Sequence, residues 1–278
     1  MRKIVAVIAL TIAMIPLVAP STASASSRAV DWDIVTSYSC KADVWILSAR
    51  GSGQTQNSFG TQERAFLKDV KYQLNSRSSI KARAKLLRVQ VLDLKYPATT
   101  VNLKSFITYG PKSGYRASVA LGIAKAVKTI SSSRKKCKNP PTVVLTGYSQ
   151  GAQVMRYAAR NLLAKNVPIA SVTLIADPTN SFRKTANTMS YNGGLTWASP
   201  RSTYAGVANP KQKKILPTAF KDIAASVCDK RDSVCHIGPA TTAATDVHRD
   251  AYRSKRMYHF PAQWLAKKVV KIHGANAG

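Results

Sequence analysis

Gly147-Tyr148-Ser149-Gln150-Gly151 constrains this chain more than any other stretch, because this Gly-x-Ser-x-Gly pentapeptide, common by chance as a spelling, sits in the context where such a motif can work. Before it, Thr142-Val143-Val144-Leu145-Thr146 is short, apolar and β-branched, the composition of a buried strand. After it, Ala152 to Leu163 reads as a helix. Strand, sharp turn and helix together make a nucleophile elbow. The two glycines let strand and helix pass close together, and they allow Ser149 the strained backbone that exposes its Oγ. The competing reading, a serine in an ordinary loop, leaves both flanking elements unexplained.

The rest of the chain repeats the alternation. Asp43 to Ser48 reads as a first strand, Thr61 to Leu74 as a helix, and Leu86 to Leu94 as a second strand. Gly114 to Ile130 is a long helix with Ala117, Leu121, Ala124 and Val127 near one stripe. Ile169 to Ile175 is a further strand, Tyr204 to Val207 a short fifth one, and a last helix starts near Pro261, a residue suited to a first helical turn. Residues 26–36 and the tail after Ile272 read as loose ends. Apolar strands alternating with helices imply an α/β fold, a parallel sheet covered on both faces, with its site at the carboxyl ends of the strands. Ser52, Ser149 and Asp177 all fall at such ends.

The N-terminus carries Met1-Arg2-Lys3, an apolar run from Ile4 to Ala19, and then Ser21-Thr22-Ala23-Ser24-Ala25. This is the pattern of a secretory signal peptide over residues 1–25, and Pro16 and Pro20 speak against a membrane anchor. Residues 26–278 then form one domain, with an ordered core over about 37–272, and the protein is expected outside the cell with no transmembrane segment. Four cysteines in an oxidising compartment suggest two disulfides. The short Cys228–Cys235 spacing favours a local staple, which leaves Cys40–Cys137 as a long-range tie. A zinc site is disfavoured because no Cys-x-x-Cys or His-x-x-x-His pair accompanies these residues, and no metal or cofactor is expected.

The formal charge is +30, with basic residues scattered in groups such as Arg134-Lys135-Lys136. Such a field attracts anionic partners. Export and the absence of a nucleic-acid motif argue against nucleic acid. Two readings remain, a solvated basic surface with no ligand and attraction to an anionic envelope or polymer.

A serine nucleophile needs a base, and the base needs an orienting carboxylate. The four histidines are His236, His248, His259 and His273. His273 falls in the tail, His236 is tethered to Cys235, and His259 beside Phe260-Pro261 reads as a residue at a helix start. His248 lies on a loop of the kind that carries a mobile base and is the leading candidate, with His259 next. For the acid, both Asp177 and Asp232 satisfy the chain order serine, acid, histidine. Asp232 sits inside the proposed disulfide loop, and Asp177 precedes a proline at a strand end.

The elbow, Ala49-Arg50-Gly51-Ser52, Tyr96-Pro97-Ala98, Ala176-Asp177-Pro178 and Cys228-x-x-x-Asp232-x-x-Cys235 together resemble the cutinase family in order and spacing, from about Cys40 to the last helix. That resemblance implies a three-layer α/β/α sandwich around a five-stranded parallel sheet, a lidless α/β-hydrolase. It assigns Ser149 as nucleophile, Asp232 as acid and His248 as base with Tyr252 nearby. It also implies the disulfides Cys40–Cys137 and Cys228–Cys235, and an oxyanion hole from the backbone N–H of Gln150 and the N–H and hydroxyl of Ser52. The activity implied is a monomeric serine carboxylesterase acting on a polyester, a lipid or an acetylated polysaccharide. An acetylxylan or cell-wall carbohydrate esterase is the alternative, and a basic envelope-binding protein is the non-enzymatic one. The segment Ile237 to Asp246 is small and polar where fungal cutinases carry an apolar lip, which points to short acyl groups.

Overall fold

The computed structural model describes residues 30–55, 59–76, 87–180, 187–191, 195–197, 207–208, 220, 222–229, 231–236 and 244–276. The signal-peptide reading of residues 1–25 therefore lies outside the described residues. In chain order the elements are β1 (Val30–Val35), β2 (Val44–Ala49), α1 (Thr61–Ser76), β3 (Leu87–Asp93), α2 (Leu103–Tyr109), α3 (Ser113–Lys135), β4 (Thr142–Tyr148), α4 (Gln150–Leu163), β5 (Ile169–Ile175), β6 (Asn187–Tyr191), β7 (Leu195–Trp197), β8 (Ala224–Asp229), α5 (Ala244–Asp250) and α6 (Lys255–Asn276). Among the described residues no helix is long and apolar enough to cross a membrane.

These strands form one sheet in the order β1-β3-β2-β4-β5-β8-β6-β7, parallel throughout except for the antiparallel β6–β7 pair. Parallel neighbours need crossover connections, and the helices supply them on both faces. β2 illustrates the period-two logic. Val44 and Ile46 join a core with Phe66, Val70 and Leu74 of α1 and Leu265 and Val269 of α6. Trp45 and Leu47 join the opposite core with Val119 and Ile130 of α3 and Val154, Ala158 and Leu162 of α4. Both faces are covered, so β2, β5 and β8 are buried along their whole length.

The α/β architecture matches the sequence reading, but among the described residues the sheet has eight strands where five were expected. Val30–Val35, read as a loose end, adds as an edge strand on β3 from Val30↔Leu87 to Val35↔Leu92. Its aspartates hid it: Val30 is buried, whereas Ile34 is 71% exposed, as an edge strand permits. Of the expected strand Tyr204 to Val207, residues 204–206 lie outside the described residues and Val207 sits in a turn. The strand beside β5 is instead Ala224–Asp229, whose Ala-Ala-Ser start carries little apolar bulk to signal it. The last helix begins at Lys255, not near Pro261, and reaches Asn276. Pro261 forfeits one helical hydrogen bond, but Met257 and Tyr258 ahead of it are buried and hold the first turns against the core. His273, placed beyond the helix by sequence, is therefore within it.

Candidate active site

Ser149 lies between the end of β4 and the start of α4, with φ 53° and ψ −120°. Its N–H donates to the Ile175 carbonyl at 2.8 Å, which ties the turn to the end of β5. The flanking glycines are there for want of space. A Cβ on Gly147 would stand 2.4 Å from the Gly151 carbonyl oxygen, and one on Gly151 would stand 2.0 Å from that of Ala49. Backbone atoms cannot yield to such contacts, so strand and helix can approach only with glycine at both positions.

His248 Nε2 is 2.9 Å from Ser149 Oγ, and His248 Nδ1 is 2.8 Å from Asp232 Oδ2. A carboxylate can only accept, so Nδ1 carries the proton and Nε2 is left to accept from the serine hydroxyl. His248 lies in helix α5 rather than on a loop, with Asp246 and Arg249 paired across one turn of that helix. A helix aims the imidazole with fewer backbone degrees of freedom than a loop. The ring of Tyr148 stacks on it with centroids 5.2 Å apart, and the Tyr148 hydroxyl donates to the His248 carbonyl.

Asp232 is fully buried within the Cys228–Cys235 loop, whose disulfide is formed. Its Oδ1 accepts from the Val234 N–H at 2.9 Å, and its Oδ2 accepts from the Tyr252 hydroxyl at 2.8 Å as well as facing His248. Tyr252 in turn accepts from the Asp229 N–H at 2.8 Å. Burial, with Asp232 adding to it, pushes the Tyr252 phenol well above its ordinary range, so it stays a neutral donor. The second disulfide, Cys40–Cys137, ties the approach to β2 to the segment before β4, and both pairings agree with the sequence reading.

The other candidates have different partners. Asp177 pairs with the buried Arg156 and accepts from the N–H and hydroxyl of Thr179, which accounts for both of its oxygens without a histidine. His259 Nδ1 lies 3.2 Å from Gln73 Nε2 on the helical layer of α1 and α6. The His236 N–H donates to the Asp232 carbonyl, which keeps it on the disulfide loop.

Gln150 opens α4, and the first intrahelical bond runs from the Gln153 N–H to the Ser149 carbonyl at 3.1 Å. The Gln150 N–H therefore has no intrahelical acceptor and lies at the positive end of the helix, the place for a developing anion. Ser52 has its hydroxyl committed to the Thr99 carbonyl at 2.6 Å, on a loop that is strongly braced. Arg50, fully buried, donates to the carbonyls of Gln54, Leu94 and Tyr96, and Tyr96 returns a bond from its hydroxyl to the Arg50 carbonyl at 2.7 Å. A cavity of about 220 Å³ opens beside this loop, its lining including Thr99, Thr100, Val101, Asn102, Phe106 and Tyr115. Residues 237–243, read from sequence as a small, polar segment, lie outside the described residues.

Three supports escaped the sequence reading. Arg50 is the first. The second is an amide chain from Gly51 N–H to Gln54 Oε1, Gln54 Nε2 to Gln62 Oε1 at 2.7 Å, and Gln62 Nε2 to the Arg249 carbonyl at 2.6 Å, which links the Ser52 loop to the helix of His248. The third is Glu63, buried behind the elbow, whose Oε1 accepts from the Tyr148 N–H at 3.2 Å. Burial pushes its carboxyl up to about 8, against the pull of the backbone donors and Arg50. All three are polar residues made structural by contacts distant in sequence.

The cutinase family model matches residues 39–269, nearly the whole of the region described above. The chain belongs to the cutinase family. It is a carboxylic ester hydrolase. Solved structures similar to it include a cutinase-like protein from Cryptococcus sp., at 20% identity and TM-score 0.58, covering 84% of this chain and 98% of the other. Another is the Trichoderma reesei cutinase in complex with a C11Y4 phosphonate inhibitor, at 25% identity and TM-score 0.46, covering 83% and 76%. The Cryptococcus likeness shows a shared fold. No curated protein matches the chain closely enough to serve as a relative.

Proposed function

We propose that this cutinase-family chain is a secreted serine carboxylesterase, one catalytic domain behind a cleaved leader, in which Ser149 is the nucleophile, His248 the base and Asp232 the orienting acid. The observation that carries the reading is the pair of bonds on one imidazole, 2.9 Å to Ser149 Oγ and 2.8 Å to Asp232. Ser149 Oγ attacks the ester carbonyl as His248 Nε2 takes its proton. The alcohol leaves with that proton, and water, deprotonated by the same nitrogen, releases the acid and restores Ser149. The tetrahedral oxyanion is held by the Gln150 N–H at the start of α4 and by donors of Ser52. That role requires the Ser52 hydroxyl to leave Thr99 when substrate binds. Asp232, dry and held by Val234 and Tyr252, stabilises the imidazolium without taking its proton.

The preferred acyl group is short, roughly two to six carbons, because each buried methylene contributes only about 0.8 kcal/mol and only where an apolar wall receives it. The cavity beside Ser52 is small and carries Thr99, Thr100, Asn102 and Ser105 in its lining, and its Phe106 packs in a tilted pair with Tyr115. Removal of acetyl groups from a polysaccharide uses the same residues and suits the same cavity. The strong positive charge is read as drawing the enzyme to an anionic partner.

The test is hydrolysis of p-nitrophenyl esters from acetate to palmitate, with fluorophosphonate labelling, on Ser149→Ala, His248→Ala and His259→Ala. The first two should lose at least about 10⁴-fold in kcat and the third should keep near-normal turnover. Retained turnover in His248→Ala with loss in His259→Ala would refute the base, and a profile rising steadily to palmitate would refute the short-chain preference.

A further inference from the structure

No aspartate or glutamate occurs between Asp93 and Asp177. That stretch builds α2, α3, β4, α4 and β5, so α3 and α4 cover one face of the sheet without a single carboxylate. The opposite layer holds Glu63 and Asp69 in α1, both buried beneath its surface. On the carboxylate-free layer, Lys125 and Lys128 stand one turn apart on α3, and Lys165 lies just beyond α4, all three exposed. Three adjoining depressions run beneath these lysines. One of about 740 Å³ at the ends of β1 and β3 is edged by Arg64, Lys95 and Lys125, with Asp93 paired to Lys95 at 3.0 Å, and is not lined by Ser149, His248 or Asp232. The next shares Lys95 and Lys125 with it, and the third, between α3 and the end of α4, takes over at Lys128 and ends at Lys165.

We infer that this face is a docking track for a linear acidic polysaccharide, a proposal that deepens the reading of the positive charge given above by naming its surface and its ligand. Cations repeat along a continuous groove instead of clustering at a point, which fits a chain of carboxylates. Between them the groove offers Thr129, Ser132 and Asn161, groups that hydrogen-bond sugar hydroxyls. A bilayer fits less well, because Leu121 and, at the edge of the first depression, Ile34 are the large exposed apolar side chains along it among the described residues, too few to insert. Nucleic acid fits less well too, since the neighbouring rings of Phe59 and Tyr96 are buried and offer no stacking platform. The track also leads to the site: from Lys95 the chain runs through Tyr96 and Ala98 to Thr99, and Gly53 and Ser52 bond to the carbonyls of Ala98 and Thr99.

The experiment compares two double reversals of equal charge, Lys125→Glu with Lys128→Glu on the track, and Lys267→Glu with Lys271→Glu on α6. Binding is measured to polygalacturonate, to duplex DNA and to phosphatidylglycerol vesicles at several salt concentrations, with p-nitrophenyl acetate turnover in parallel. The track variant should lose polygalacturonate affinity on the order of ten-fold or more with a shallower salt dependence, while the α6 variant keeps it. Both should hydrolyse the small ester at the parent rate, so a failure of the track leaves the esterase assignment standing. Equal losses in the two variants would overturn the track in favour of diffuse charge. Tighter binding of DNA or vesicles than of polygalacturonate would overturn the polysaccharide.

Discussion

Glu63→Gln isolates the energetic cost of one buried carboxyl behind the elbow. Glu63 is wholly buried, accepts from the Tyr148 N–H, and has its carboxyl raised from 4.5 to about 8, chiefly by burial. Below pH 4.5 the folded and unfolded chains both hold this proton. Between 4.5 and 8 the unfolded chain has released it and the folded chain has not, so ionisation favours unfolding; above 8 the cost is constant. Each pH unit in that window removes about 1.4 kcal/mol from wild-type stability. Glutamine keeps the acceptor for Tyr148 but cannot ionise. The unfolding free energy of the variant minus that of wild type should therefore rise by about 3 kcal/mol between roughly pH 5.5 and pH 7.5, with every other titration cancelling in the difference. Urea unfolding followed by tryptophan fluorescence at each pH measures it. Parallel stability curves, or a difference that shrinks as pH rises, would mean that Glu63 is ionised in the fold, and the argument from burial would fail.

Tyr252→Phe should lower stability by about 1–3 kcal/mol in chemical unfolding, because the buried Asp229 N–H loses its acceptor and Asp232 loses a donor. Its kcat should fall far less than that of Ser149→Ala; an unchanged stability would show that the hydroxyl is not the bridge. Gly151→Ala should abolish soluble folded protein, since its Cβ would meet the Ala49 carbonyl at 2.0 Å, and a well-folded variant by circular dichroism would contradict that contact. The two disulfides should separate in their effects. Replacing Cys40 and Cys137 with serine, opening a separation of 97 residues, should cost about 4–5 kcal/mol and leave turnover near normal. Opening the seven-residue Cys228–Cys235 loop should cost only about 2 kcal/mol yet remove most activity, because Asp232 is released. Urea midpoints beside ester hydrolysis would show the reverse pattern if the short bridge were merely structural.

What the sequence made legible were features encoded locally. The elbow needs its glycines within five residues, and Asp232 is fenced by cysteines seven apart, so both could be read without knowing the fold. That Asp232 faces His248 whereas Asp177 does not could not, since Asp177 is paired with Arg156, a core cation that reaches back from α4. β8 was missed because Ala224, Ala225 and Ser226 are small where the sheet is most crowded, and β1 because its alternating aspartates belong to an exposed edge. His248 was placed on a loop because Ala244–Asp250 is too short for a hydrophobic period to emerge. Arg50, Gln54, Gln62 and Glu63 look like surface residues by type, and only long-range contacts turn them into struts of the site.

In the pentapeptide, the letter between the first glycine and the serine is conventionally written as any residue, yet Tyr148 is anything but interchangeable. Its N–H is held by Glu63, its ring lies against His248, and its hydroxyl grips the His248 carbonyl. On its other side, a Cβ on Gly51 would come within 2.7 Å of its ring. Positions 51, 63, 148 and 248 thus behave as a single lock with four wards. A smaller residue at 148 would leave the His248 carbonyl untethered and a void beside the Ser52 loop, so an exchange there can be tolerated only if the residues opposite are recut to fit.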